Sequence, residues 1–354
     1  MNLKIVMGMH DDTPSGGRNI LYTYANELVK RGDSVEIIFL ADARFAKRKR
    51  NNLVSAKNLG RFLAFRGKQN RISWFTLSDN VKISTVFELS THLFREGDNV
   101  LVTDFAIALS MAEKVPNYKN VKYFVQADDS AFYDSEIVKL AWKLPYPKIV
   151  VSSHLKTALS VYSSDIRLVK NFLDISNFYL TKSINRRAKT VSLLKHPSEN
   201  KGYAFGVEVL KRVSAEIDDL RVIIFGKFDA PGALPFDYEY IHNPTPEVLR
   251  DFVYNESAIY LATSQKEGWG LTSTEAMAGG AALISTDNGG VEDFGQHGVT
   301  ALLSSYGDVQ MTSEQVIHLL KDTKLREQIA TRGHNLVMTF TLENSVSELI
   351  KALR

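Results

Sequence analysis

Short, continuous apolar runs alternate along this chain with stretches in which apolar residues recur every three or four positions. The runs predict buried strands and the spaced positions predict helices. Leu3–Gly8 and Val35–Leu40 read as strands on either side of a helix, Arg18–Arg31, whose Ile20, Leu21, Tyr24 and Leu28 share one face. Strands are predicted again at Val81–Val86, Asn99–Thr103, Val121–Gln126 and Lys148–Ser152. Between and after them helices are predicted near 87–95, 105–114, 134–142 and 153–162. Asp165–Phe178 breaks the rhythm and is read as a domain boundary. A second series follows, with strands at Thr190–Leu194, Leu220–Phe225, Tyr238–His242, Ile259–Ala262 and Ala281–Ser285 and helices at Tyr203–Ala215, Pro246–Tyr254 and around Glu275–Ala278. Gln315–Arg354 reads as helical with breaks near Gly333 and Thr339. Strands alternating with helices predict an α/β fold of parallel sheets covered on both faces. The division expected is 1–172 and 173–340, with a last helix, 341–354, packing back on the first domain.

A length of 354 residues supports two domains, and 44% hydrophobic with 23% charged residues is the composition of chains with sizeable cores. The chain has no cysteine, which excludes disulfides and thiolate metal sites. Neither the apolar patch at Ile5–Met7 nor the run from Val100 to Ala112, broken by Asp104, is long enough for a signal core or a membrane span. A cytoplasmic location is therefore expected. The net charge of +3 does not call for a nucleic-acid partner. Its distribution changes the picture more. Residues 43–78 hold ten Lys and Arg and no acid, interleaved with Leu53, Val54, Leu59, Phe62, Leu63 and Phe65. Such a stretch is most simply a solvated face. It also fits a basic amphipathic surface for an anionic membrane face or an anionic acceptor, with Arg44, Lys47, Arg48 and Arg61 as the contact residues, and an RNA-binding surface is a third option.

Two glycine-rich stretches carry the candidate chemistry. In the first half, Pro14-Ser15-Gly16-Gly17 joins strand to helix but lacks the G-x-G-x-x-G of dinucleotide sites. In the second, Glu267-Gly268-Trp269-Gly270-Leu271 follows a strand and opens a helix, with Thr272 and Ser273 as expected N-caps and Gly279-Gly280 as its end. A helix N-terminus offers unpaired N–H groups to an anion. Glu267 and Glu275 would hold hydroxyl groups on either side of that anion, which is the chemistry of a nucleotide sugar.

From Glu267-Gly268-Trp269-Gly270-Leu271 through Glu275-Ala276-Met277-Ala278 to Gly289-Gly290-Val291-Glu292, the sequence resembles the retaining glycosyltransferases of family 4. Weaker matches extend the likeness over nearly the whole chain: Ser15-Gly16-Gly17, Lys170–Asp174, Lys201-Gly202 and Phe225-Gly226. The resemblance implies the GT-B fold, two Rossmann-like doubly wound domains facing a central cleft. It implies that Glu267 contacts the donor sugar, that Glu275 binds the ribose and that the backbone of Gly268–Leu271 approaches the diphosphate. Gly16 and Gly17 would lie on the phosphate side from the N-terminal domain, with Gly226 on the nucleotide side. Trp269 would order the donor loop, and Lys201 would neutralise the diphosphate. Family members carry an Arg shortly before that Lys; here only Lys195 and His196 stand in its place, so Lys195 is the candidate, as a point charge and not a bidentate fork. Many members have a His after an N-domain strand where this chain has Gln126. Some carry Gln there, rhamnosyltransferases among them, which adds a deoxyhexose to the donors the resemblance allows.

Glu267, Lys201 and Gln126 are thus the candidate catalytic residues, and no cofactor or metal is expected. The reaction implied is retaining transfer from a nucleoside diphosphate sugar to a saccharide or lipid-linked hydroxyl, in cell-surface polysaccharide synthesis. Two other readings stay open. One is a different GT-B enzyme, such as a sugar-nucleotide epimerase or a phosphorylase. The other is a sugar-nucleotide-binding subunit without catalysis.

Overall fold

The computed structural model of the chain describes residues 1–9, 12–43, 45, 58–64 and 72–354. The chain folds into two compact units: Met1–Val151 with Leu155–Lys170 and Ser345–Arg354, and Ser152–His154 with Asn171–Asn344.

The first unit holds seven parallel strands: β1 (Asn2–Gly8), β2 (Ser34–Leu40), β3 (Lys82–Val86), β4 (Asn99–Val102), β5 (Val121–Val125), β6 (Lys148–Val150) and β7 (Ile166–Leu168). Their order is β3-β2-β1-β4-β5-β6-β7. The order reverses direction between β1 and β4, and there loops splay apart at the strand ends. β5 (VKYFV) is buried along its whole length, as a parallel strand covered on both faces should be. Helix α1 (Gly16–Lys30) buries Ile20, Leu21, Tyr24 and Leu28, the face its spacing predicts. The last helix of the chain, Leu342–Leu353, is tied to this unit through Ser345, whose hydroxyl donates to Lys170 O at 2.6 Å and meets the Tyr24 hydroxyl at 2.6 Å.

The second unit has six parallel strands: β8 (Thr190–Leu194), β9 (Arg221–Gly226), β10 (Glu239–His242), β11 (Ile259–Ala262), β12 (Ala282–Thr286) and β13 (Ala301–Ser304). Their order is β10-β9-β8-β11-β12-β13, the same doubly wound reversal. Val191, Leu193, Ile224, Leu261 and Ile284 build the core beneath the helix Tyr203–Ser214.

Several local expectations need correction. The helix foreseen near 87–95 is only a 3-10 turn at Thr91–Leu93. The stretch read as rhythm-breaking contains β7, a strand of three residues that pairs with β6 and is too short to show alternation. α1 starts at Gly16, so Gly16 and Gly17 form its first turn and not a loop. The C-terminal tail breaks at Asp322, which caps Thr323–Val337, and Gly333 lies inside that helix. A Cβ on Gly333 would meet the end of the Met277 side chain at 2.8 Å and Thr300 O at 3.1 Å.

Candidate active site

The site residues of the second unit gather at the carboxyl end of its sheet. After β11 the chain makes a loop and then a helix, Leu271–Ala278. Its N-cap is Gly270, at φ 105°, with no side-chain cap; Thr272 and Ser273, expected as caps, lie inside the helix. Only glycine adopts that left-handed turn without strain, so the helix can begin abruptly under the loop. The loop is pinned from behind. Glu267 N–H donates to Asn288 O at 2.9 Å. Trp269 is 3% exposed, its ring 5.5 Å from Phe294 and 5.3 Å from Phe340. Trp269 thus anchors the loop through its ring. Gly290 lets the backbone of Trp269 pass, since a Cβ there would fall within 2.5–2.8 Å of it.

Lys201 reaches this loop from the turn after β8. Asn200 sets it in place: its amide donates to Lys266 O at 2.8 Å and accepts from Lys266 N–H at 3.0 Å. Thr263 Oγ1 donates to Lys201 O at 2.8 Å. The ammonium of Lys201 then lies 2.6 Å from Glu267 Oε1. The two carry a basic and an acidic group, sixty-six positions apart in sequence, into one recess that Thr263, Thr272 and Asn288 also line. The next residue, Gly202, has φ 63°, and a Cβ on it would collide with the Thr263 carbonyl. Gly202→Ala is therefore expected to cost about 1–3 kcal/mol from strain alone. Turnover should fall further than stability, because Lys201 moves with the strained turn. Thermal unfolding and turnover measured on one preparation check both.

Glu275 sits one helical turn into Leu271–Ala278 and keeps part of its surface open. Burial pushes its carboxyl up to about 7, the Tyr254 hydrogen bond lowers it and nearby Asp174 adds to the rise. Tyr254 donates its hydroxyl to Glu275 Oε2 at 3.0 Å. Nothing in the sequence singles out this tyrosine; the helix period around 246–254 reads it as core.

Gly226 ends β9 under the backbone of Lys195, whose carbonyl a Cβ would strike. Lys195 itself turns its ammonium to the Asp229 carbonyl. His196 beside it is held below its ordinary value by burial and by Lys201. In the first unit, Gln126 and Gly17 meet: the Gln126 amide donates to Gly17 O at 3.1 Å. The same edge holds Asp104, Asp128 and Asp129, and burial with the charges of Asp104 and Asp128 pushes Asp129 up to about 7. In sequence Asp128-Asp129 is only an acidic pair. Among the described residues, no cluster of three or more His, Asp or Glu could hold a metal ion. Arg61 is exposed on the helical residues 58–64; Arg44, Lys47 and Arg48 lie outside the described residues.

Residues 182–336 match the family of glycosyl transferases group 1. The chain is similar to the 2-deoxystreptamine N-acetyl-D-glucosaminyltransferase of Niallia circulans, 26% identical over 166 residues, 45% of this chain and 43% of that protein. It is similar also to the capsular polysaccharide biosynthesis glycosyltransferase CapM of Staphylococcus aureus, 24% identical over 240 residues, 63% of this chain and 62% of that one. It therefore spans about half the length of these curated relatives. Its fold matches that of Anabaena HepE in complex with UDP with a TM-score of 0.70 at 13% identity, over 100% of this chain and 99% of that one. Two parallel sheets flanked by helices are the GT-B architecture. Its C-terminal unit holds the segment in which the family is recognised.

Proposed function

We propose that this enzyme moves a sugar from a nucleoside diphosphate sugar to an acceptor hydroxyl, with retention at the anomeric carbon. The observation that carries the reading is the Lys201–Glu267 pair at the mouth of a glycine-capped helix. An ammonium has three donors, so Lys201 can serve Glu267 and a phosphate oxygen together. The first N–H groups of the helix add fixed positive charge for the diphosphate. Glu267 accepts hydrogen bonds from sugar hydroxyls, and Glu275 accepts them from the ribose. Among the described residues no side chain of the recess is an obvious nucleophile. The acceptor then attacks on the face the phosphate leaves, and the departing phosphate oxygen takes its proton. The protein contributes position and charge.

HepE is a complex with UDP and the Niallia circulans relative is an N-acetyl-D-glucosaminyltransferase, so UDP-sugars come first among donors. A thermal-shift screen of uridine, thymidine, guanosine and adenosine diphosphates and their sugars is expected to raise Tm with one base. Thymidine diphosphate-rhamnose in that set tests the deoxyhexose that Gln126 suggests. Sugar release only when an acceptor is present separates a transferase from an epimerase. A protein that binds nucleotide and never turns over the donor is the non-catalytic subunit, and that result removes the proposal.

For the acceptor, we infer a saccharide carried on an anionic membrane face. Leu59 and Leu63 are 46% and 60% exposed one helical turn apart, with Arg61 exposed between them, while Phe62 rests on Phe87 at 5.8 Å. Among the described residues no helix is long and apolar enough to cross a membrane. Sedimentation with phosphatidylglycerol vesicles should exceed that with phosphatidylcholine vesicles and fall as salt rises. Equal binding to both removes the membrane from the reading.

A further inference from the structure

Tyr254 lies in the C-terminal unit on a π-helical turn, Leu249–Tyr254. Such turns add one residue to a helical repeat and redirect the side chains beyond it. Its side chain is 0% exposed, yet it ends in a hydroxyl. A buried hydroxyl without a partner is costly, and here the chain supplies one. The partner is Glu275 Oε2 at 3.0 Å, on a different element and twenty-one positions away.

The ring cannot swing. Phe178, Phe225 and Tyr260 surround it at 5.9, 5.8 and 5.9 Å between centroids, two of them edge-on. Gly279 leaves the space for its Cβ, since a Cβ on Gly279 would come to 2.7 Å from it. Its backbone is clamped as well: Tyr254 O accepts from Arg187 Nη1 at 3.1 Å. The following residue, Asn255, accepts from Thr181 N–H at 2.8 Å and Lys182 N–H at 3.0 Å and donates to Tyr179 O and Arg250 O at 3.0 Å each. The result is a hydrogen-bond donor fixed in space before any ligand arrives. It occupies one lone pair of Glu275 and leaves the rest of the carboxylate for incoming hydroxyl groups.

We propose that Tyr254 is a positioning residue: its hydroxyl orients Glu275 for the ribose hydroxyls of the donor. The proposal rests on the reading of Glu275 as the ribose-binding group. A carboxylate that must choose its rotamer on binding loses part of the interaction to ordering; a carboxylate already held does not. A donor bond to the ionised form also favours ionisation. Among the described residues, the titratable groups facing Glu275 are Tyr254, Tyr260 and Asp174, and Tyr254 alone among them lowers its carboxyl. Affinity for the nucleotide should accordingly strengthen as pH rises through the range near 7, where Glu275 ionises.

The test is calorimetric binding of uridine diphosphate from pH 5.5 to 8.5, with the adenosine, guanosine and thymidine diphosphates run alongside. It is made on wild type, Tyr254→Phe, Glu275→Gln and the double variant. Phenylalanine keeps the ring and its packing, and unfolding curves verify the fold. Tyr254→Phe is expected to weaken binding about tenfold at pH 7 and to move the pH midpoint upward. On the Glu275→Gln background the same change should weaken it far less and shift no midpoint. If Glu275→Gln binds as wild type, the ribose reading fails. If Glu275→Gln is weak while Tyr254→Phe keeps the wild-type affinity and midpoint, the positioning role alone fails. An equal loss from Tyr254→Phe on both backgrounds also overturns it, since the tyrosine would then act through another group. Wild type that binds none of the four diphosphates overturns both.

Discussion

Replacing Glu267 with alanine should lower turnover by at least about 10²–10³-fold and leave the fold intact. The two effects separate because of where the carboxylate sits. Its partner Lys201 is 2.6 Å away, and the side chains are 30% and 18% exposed. A partly solvated pair of this kind contributes on the order of 1 kcal/mol or less to stability. In a unit of this size that moves Tm by about 2–4 °C. The backbone of Glu267 is held independently, through Asn288 O, so the loop keeps its course without the side chain. In the alanine variant Lys201 loses the group that orients it, and on the proposed reading the donor loses its sugar contact. Both losses fall on the transition state, where charge moves onto the diphosphate. Glu267→Gln separates them further. It keeps the volume and a hydrogen bond but not the charge, and should fall between alanine and wild type. Turnover of the alanine variant at the wild-type rate would show that the catalytic recess has been misplaced.

Arg187→Leu should do the reverse and act on stability first. Arg187 is 6% exposed, and its guanidinium is held by carbonyl oxygens. Nη1 donates to Tyr254 O at 3.1 Å and Ser257 O at 2.6 Å; Nη2 donates to Lys182 O at 3.1 Å and to Gly279 O. Two of these carbonyls close helices, Leu249–Tyr254 and Leu271–Ala278, whose last C=O groups have no partner of their own within the helix. Burial lowers the guanidinium to about 10, with Glu256 opposing, so it remains charged at neutral pH. Leucine would leave three buried carbonyls, and the half-buried one of Lys182, short of a donor. The expected loss is about 4 kcal/mol, or roughly 10 °C in Tm. Arg187→Lys should recover part of it, since one ammonium cannot span all four acceptors. A leucine variant within about 1 kcal/mol of wild type in denaturant unfolding would mean that water replaces the guanidinium.

The helix that ends at Gly279 carries Glu275, so Arg187 and the glycine-rich loop brace the same element from opposite ends. The bracing was invisible in the sequence. Arg187 stands there beside Arg186 and Lys189 and reads as one more surface charge. Tyr254 reads as an apolar position of a helix. Each acquires its role only when residues dozens of positions apart are brought together. Short elements failed for a related reason. β7 has three residues and shows no period, and the π-helical turn keeps the apolar spacing of an ordinary helix while shifting what lies beyond it. Thr272 and Ser273 carry the usual capping side chains and so point to an N-cap, whereas the chain turns at Gly270 by its positive φ.

What the sequence by itself determined is local and repetitive. Buried parallel strands must be apolar on both faces, so the alternation of strands and helices was written in composition and spacing. The Glu267–Leu271 loop was legible for the same reason: a glycine-rich turn between a buried strand and a helix is specified by neighbours in sequence. The tertiary structure alone decided that Lys201 meets Glu267, that Gln126 meets Gly17 and that Tyr254 holds Glu275. Sheet order sets those meetings. β8 and β11 are neighbours in space with two strands between them in the chain, and the loops at their carboxyl ends converge. Distances of a few ångströms between such loops depend on register and packing, which no local pattern of residues encodes.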